Sequence, residues 1–132
     1  MTDGAAAGGT RTTLVTGPSA AAREAAIAAA LAADGGAGPA AVVLEGLADA
    51  TSPLAANDLP AVQVLRIAPG CLCCAGNLVL RVTLNRLLRH PPARLYISLA
   101  NAEHADQLRE MLSDPPYVSL LTLGPYLHAG LT

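Results

Sequence analysis

The sequence predicts an α/β fold with a doubly wound, mostly parallel sheet, and three observations carry that expectation. Short runs of β-branched and aliphatic residues, of strand length, recur at Thr12–Thr16, Ala41–Leu44, Val62–Ile67 and Leu95–Leu99. Between them, longer stretches carry large apolar residues at helical spacing. Glycine and proline stand at the joins: Gly17-Pro18, Gly35 to Pro39, Pro69-Gly70 and Pro91-Pro92. Strands alternating with helices imply parallel pairing through right-handed crossovers, with helices on both faces.

Residues 1–11, rich in Gly, Ala and Thr, read as a flexible tail, and residues 12–132 as a single domain. The first strand, Thr12–Thr16, ends at the Gly17-Pro18 breaker. Ser19 carries the short hydroxyl that caps a helix, and an Ala-rich helix to Asp34 follows, with Ile27 and Leu31 four apart on one face. Glu24 falls in its first turns, where the helix dipole favours an anion. Ala41–Leu44 is an uninterrupted apolar run, as a buried strand requires. Residues 48–60 read as a loop, and Val62–Ile67 as a third strand. Asn77 is suited to cap a helix whose Leu80, Leu84, Leu87 and Leu88 make one stripe, with Arg81, Arg86 and Arg89 largely off it as an exposed basic face. Pro91-Pro92 ends that helix. Leu95–Leu99 is a fourth strand. A helix over Asn101–Leu112 follows, with Ala105, Leu108 and Leu112 on one face and Asp106 and Arg109 expected as a surface pair. Val118–Leu123 reads as a last strand before a frayed end.

Composition excludes several functions. The 132 residues hold 10 acidic and 8 basic side chains, every basic one an arginine, for a net charge of −2. With 14% charged and 52% apolar residues, neither a disordered polyelectrolyte nor a nucleic-acid binder is expected. The absence of lysine excludes a Schiff base, a lysine general base and an intact Walker A loop. No apolar stretch approaches the ~20 residues of a membrane span. Met1-Thr2-Asp3-Gly4 lacks the cationic start of a secretory signal, so a cytoplasmic protein without a membrane partner is expected.

All 3 cysteines, Cys71, Cys73 and Cys74, follow Pro69-Gly70 within one short segment. Adjacent cysteines bridge only with strain, whereas three thiolates in C-x-C-C spacing can converge on one soft ion if the loop curls. Three protein ligands leave one tetrahedral position open, which suits transfer of a metal. Glu45, His90, His104, water or a partner's donor are candidates for that position. Burial of a cysteine as a small hydrophobe and thiol redox sensing are the competing readings. His90, at a helix C-terminus, is expected to act as a cap, and His104 to be solvated.

The chain runs in order through strand-Gly17-helix, strand-Leu44-Glu45-Gly46, Gly70-Cys71-Leu72-Cys73-Cys74, Asn77 and a leucine- and arginine-rich helix before a further strand, and of these the cysteine motif is the specific one. It resembles the CobW/HypB/UreG P-loop GTPases, and most closely the CobW branch, whose hallmark is a GCxCC segment. The resemblance runs over residues 12–112. It implies a P-loop-NTPase-like strand order in a truncated, partial domain, zinc or cobalt at the cysteines, and GTP hydrolysis coupled to metal delivery.

The phosphate loop departs from that pattern. In the register of GxxxxGK[ST] this chain has Gly17-Pro18-Ser19-Ala20-Ala21-Ala22-Arg23-Glu24. Ala22 replaces the second glycine, Arg23 the lysine and Glu24 the hydroxyl residue, while Pro18 removes a backbone donor. A planar guanidinium does not substitute for the compact ammonium, and Glu24 sets negative charge beside a polyanion. Ser98 and Asn101 stand where the family carries an acidic residue and a glycine, and there is no guanine-reading NKxD-type segment.

The expectation is a zinc- or cobalt-type metal-binding protein with a degenerate nucleotide site. Cys71, Cys73 and Cys74 would hold the ion, with Glu45 as candidate fourth ligand. Such a protein would act in metal handling or regulation without efficient GTP hydrolysis, its partner a metal-recipient protein or an intact family member. The alternatives are a weak GTPase that holds GTP and Mg²⁺ through Gly17, Ser19 and Arg23, or a non-catalytic interaction protein that pairs with an intact family member.

Overall fold

Backbone pairing in the computed structural model, which describes residues 9–33, 39–45, 62–67, 78–99, 102–115 and 117–129, joins six strands into one parallel sheet. The order along the chain is β1 (Thr10–Thr16), α1 (Ala20–Ala33), β2 (Ala40–Glu45), β3 (Val62–Ile67), α2 (Leu78–Leu87), β4 (Arg94–Ser98) and α3 (Ala102–Leu112). A 3₁₀ turn at Tyr117–Ser119 then leads into β5 (Leu121–Leu123) and β6 (Leu127–His128). In space the strands run β3-β2-β4-β1-β5, and β6 pairs with the last residues of β1.

Side-chain alternation along these parallel strands divides the core in two. On one face α1 lays Ile27 and Leu31 over Val15, Val42, Leu44 and Tyr96. On the other, Leu80, Leu84 and Leu87 of α2 and Ala105, Leu108 and Leu112 of α3 cover Leu14, Ala41, Val43, Leu95 and Ile97. The fold is therefore α/β and doubly wound, as the alternation of strand and helix patterns requires. β2 is buried along its whole length, which explains its unbroken aliphatic run. β3 ends the strand order among the described residues and is mostly half-buried, so its sequence alternates.

Several boundaries differ from the sequence expectation, each for a tertiary reason. β1 begins at Thr10, within the segment read as tail. Thr10 pairs with Leu121, its N–H donates to the Leu120 carbonyl at 3.0 Å, and its hydroxyl donates to the Pro92 carbonyl at 2.7 Å. Gly9, at φ 72°, turns the chain into that strand; a Cβ there would lie 2.3 Å from the Leu120 carbonyl oxygen. α2 ends at Leu87, ahead of its prolines, because Pro91 disfavours helical geometry at His90. Its last turn tightens, with Arg89 N–H donating to Arg86 O at 3.3 Å and His90 N–H to Leu87 O at 3.2 Å. The run Val118–Leu123 splits into the 3₁₀ turn and a shorter strand, leaving Val118 and Leu120 exposed. Where a frayed end was expected, Leu127–His128 pairs with β1.

The Gly35 to Gly38 stop, the 48–60 connection, Pro69-Gly70, Cys71, Cys73, Cys74, Asn77 and Asn101 lie outside the described residues. No helix among the described residues is long and apolar enough to cross a membrane.

Candidate functional site

Chain order decides where a crevice can form. β1 and β4 are neighbours, yet α1 leaves β1 toward one face and α3 leaves β4 toward the other. Such a switch point opens a cleft at the carboxyl ends of the two strands. Gly17, Pro18 and Ser19 follow β1 there, Ser98 ends β4 and Glu45 ends the adjoining β2.

Ser19 caps α1. Its Oγ accepts the Ala22 N–H at 3.1 Å, and its carbonyl accepts the Arg23 N–H, also at 3.1 Å. Because the helix begins at Ala20, only Gly17, Pro18 and Ser19 remain as loop. The residues that a phosphate loop would curl around an anion, Ala20 to Ala22, are already wound into helix.

Arg23 sits one turn into α1, and helix side chains lean back toward the N-terminus. That lean carries its guanidinium into the crevice, where Nε donates to Ser98 Oγ at 2.9 Å and Nη1 to the Gly17 carbonyl at 3.0 Å. Only 4% of the residue is exposed. Burial draws its pKa below the ordinary arginine value, while Glu45 and Glu24 oppose the shift. It stays charged at any physiological pH. Glu45 is itself buried at the end of β2, so the crevice holds a buried cation facing a buried anion.

Glu24 turns to β3 and meets Arg66 fork to fork, Oε2 to Nη1 and Oε1 to Nη2, both at 3.4 Å. The Glu24 side chain is 4% exposed and that of Arg66 19%, so the pair ties α1 to β3 in a largely dry setting.

Over Gly17 lies the segment that follows β5. Ala129 N–H donates to the Thr16 carbonyl at 2.7 Å, and Thr16 Oγ1 pairs with His128 Nδ1 at 2.7 Å. A Cβ at position 17 would stand 2.9 Å from the Ala129 oxygen and 2.9 Å from its Cβ. Glycine is needed here for close approach, and what approaches is this chain's own backbone.

The structure thus brings Gly17, Ser19, Arg23, Glu45 and Ser98 to one edge. Ile67, the last residue of β3, is in register with Glu45, and Cys71 follows it by four positions in the chain. The cysteines themselves lie outside the described residues, among which no group of three or more potential metal ligands assembles. His90 is exposed near the first residues of β2 and β3, at the opposite edge of the sheet from Glu45. His104 is half-buried rather than solvated. It is the third residue of α3, beside the packed Ala105, and its Nδ1 is shielded from solvent without a hydrogen-bond partner among the described residues. Asp106 and Arg109 both engage Tyr126, through a 2.6 Å hydrogen bond from its hydroxyl and a guanidinium 5.2 Å from its ring centroid.

Sequence reasoning missed the Arg23–Ser98 bond, the Glu24–Arg66 pair and the Ala129 cover. One signal was present for the pair: Glu24 stands in an alanine-rich helix and Arg66 between Leu65 and Ile67 of a strand, opposite charges in largely apolar surroundings. Nothing local announces Ala129. Comparison of the chain with models of known families, with curated proteins and with solved structures finds no match.

Proposed function

We propose that this chain binds a zinc- or cobalt-type ion through Cys71, Cys73 and Cys74 and acts in metal handling or regulation, with a degenerate nucleotide site and without efficient GTP hydrolysis. The observation that carries this reading is the chemistry of the C-x-C-C segment, three thiols on the connection that leaves the carboxyl end of β3. Thiolates are the ligands such ions prefer, and each must shed its proton to bind, so loading releases protons.

Three thiolates leave a fourth position exchangeable, which favours passing the ion on over locking it away. Two donors on elements that begin or end at the same edge suit that position, Glu45 and His104. His104 is favoured, because its buried Nδ1 has no other partner among the described residues, whereas Glu45 already faces Arg23.

Arg23 supports the second half of the reading. To touch a phosphate it would have to give up Ser98 and the Gly17 carbonyl, and the ligand would have to displace Ala129 from Gly17. The same geometry counts against the weak-GTPase alternative.

The test is metal content and fluorescent-GTP titration on one anaerobic preparation. Stoichiometric metal in the wild type, none in the Cys71/Cys73/Cys74→Ser variant, and no saturable Mg²⁺-dependent nucleotide binding are expected. A metal-free wild type, or metal retained by the variant, refutes the first half; saturable Mg²⁺-dependent GTP binding favours the weak-GTPase alternative, and GTP hydrolysis by that preparation refutes the second half.

A further inference from the structure

The two helices that cover one face of the sheet carry opposite charge on their outward sides. α2 and the turn that ends it, residues 78–90, hold Arg81, Arg86 and Arg89 and no carboxylate. α3 and the turn after it, residues 102–114, hold Glu103, Asp106, Glu110 and Asp114 against one arginine, Arg109. The three α2 arginines and the four carboxylates are all exposed. Arg109 is turned aside, its Nη1 donating to the Gly124 carbonyl at 2.8 Å and its guanidinium lying over Tyr126. Among the described residues, no ion pair engages Arg81, Arg86, Arg89, Glu110 or Asp114.

Topology sets the two charges side by side. α2 joins β3 to β4 and α3 leaves β4 toward β5, so both lie on the same face and both begin at the carboxyl edge of the sheet. Counted from Leu78 and Ala102, Arg86 and Glu110 are each the ninth residue of their helices, and Arg89 and Asp114 follow about one turn further on. Glu110 and Asp114, with Asp106 and Tyr126, border an open hollow of about 520 Å³, which has room for a guanidinium. A twofold axis running between the two helices and parallel to them lays each α2 over the α3 of a second copy, as an isologous contact requires. The arginines then meet the carboxylate hollow twice. A guanidinium fork matches a carboxylate with two parallel hydrogen bonds, which suits arginine to such a contact.

We propose that this chain pairs with a second copy of itself through this layer, Arg86 and Arg89 of each α2 against Glu110 and Asp114 of the other copy's α3. Exposed ion pairs are individually weak and are screened by salt, so the association is reversible and salt-sensitive. The contact uses none of the cysteines and no residue of the crevice at Arg23, and is independent of the metal reading.

The experiment is sedimentation velocity of the full chain under reducing conditions, over a concentration series in about 20 mM and about 500 mM NaCl, which bracket weak and strong screening. Dimerisation that rises with concentration in low salt and weakens roughly tenfold or more in high salt is expected. Arg86→Glu/Arg89→Glu and Glu110→Arg/Asp114→Arg should each be monomeric throughout. A protein carrying all four substitutions should dimerise again, because the charges are exchanged between the two helices and not lost. All four positions are exposed, so the substitutions leave folding intact. The Cys71/Cys73/Cys74→Ser variant should dimerise like the wild type. A wild type that stays monomeric in low salt, dimers indifferent to salt or to either double substitution, no recovery in the fourfold variant, or loss of dimers with the cysteines would overturn the proposal. A monomeric wild type that co-sediments with phosphatidylserine vesicles would also overturn it, and would assign the α2 arginines to an anionic membrane surface.

Discussion

Replacing Arg23 by Met tests whether the crevice is held shut from inside. The substitution keeps the unbranched stem and removes the charged head, so it deletes the 2.9 Å bond to Ser98 Oγ and the 3.0 Å bond to the Gly17 carbonyl. Hydrogen bonds from charged donors are each worth about 1.5–3 kcal/mol. The residue is 4% exposed, so water neither screens the head in the native state nor solvates the groups left behind. Glu45 also loses its facing cation. Part of the loss is recovered by apolar packing of the Met, which leaves a net cost of about 3–5 kcal/mol. With an unfolding entropy of about 2.1 cal/mol/K per residue, that cost lowers the Tm of a 132-residue chain by about 10–18 °C. Differential scanning calorimetry measures it directly. Arg23→Lys keeps the charge but not the fork, and should lose about half as much while gaining no GTP binding, because α1 still begins at Ala20. An Arg23→Met protein that melts with the wild type would refute the inward-facing arginine. So would an Arg23→Lys protein that binds GTP with Mg²⁺.

Other consequences are as direct. Gly17→Ala drives a Cβ to 2.9 Å from a backbone oxygen that cannot rotate away, so urea denaturation should register a loss of about 1–3 kcal/mol. Leu84→Ala, at a fully buried site on α2, should cost about 2–5 kcal/mol. Val82→Ala, on the 49% exposed side of the same helix, should stay within about 0.5 kcal/mol by the same assay. Burial and the hydrogen bond to Asp106 raise the Tyr126 phenol above 10.0, its ordinary value. The folded state then holds that proton more tightly than the unfolded chain does. This stabilisation is complete below the ordinary tyrosine pKa and fades as pH climbs through the raised one. The urea midpoint of the wild type should therefore fall further between about pH 8 and about pH 11 than that of Tyr126→Phe.

Much of the fold was legible because its signals are local or periodic. β2 is buried on both faces, so Ala40–Glu45 had to be a continuous apolar run closed by one charge. Leu80, Leu84 and Leu87 repeat with the helix because they meet the same face of the sheet. The misses were non-local. Thr10 and Arg11 are strand residues only because β4 and β5 flank them. Leu127–His128 is a two-residue strand, too short to leave a pattern, and it exists because β1 offers it a partner. At the crevice, Gly17, Ser19 and Arg23 stood out only against the phosphate-loop register that the family resemblance implies. Their orientation could not be read there, since it depends on Ser98 and Ala129, 75 and 112 positions away from Arg23 and Gly17. Asp106 and Arg109 fit a helical pair by spacing, yet both serve Tyr126 from the following segment.

The claim that Cys71, Cys73 and Cys74 together hold one metal ion is tested most directly by anaerobic titration of the metal-free protein with Co²⁺, following the thiolate-to-cobalt charge-transfer absorption. The band scales with the number of thiolates on the ion. The account predicts saturation at about one Co²⁺ per chain, a loss of roughly one third of the intensity in each single Cys→Ser variant, and no band in the triple variant. Absence of a band in the wild type, or full intensity after removal of any one of the three thiols, would contradict it.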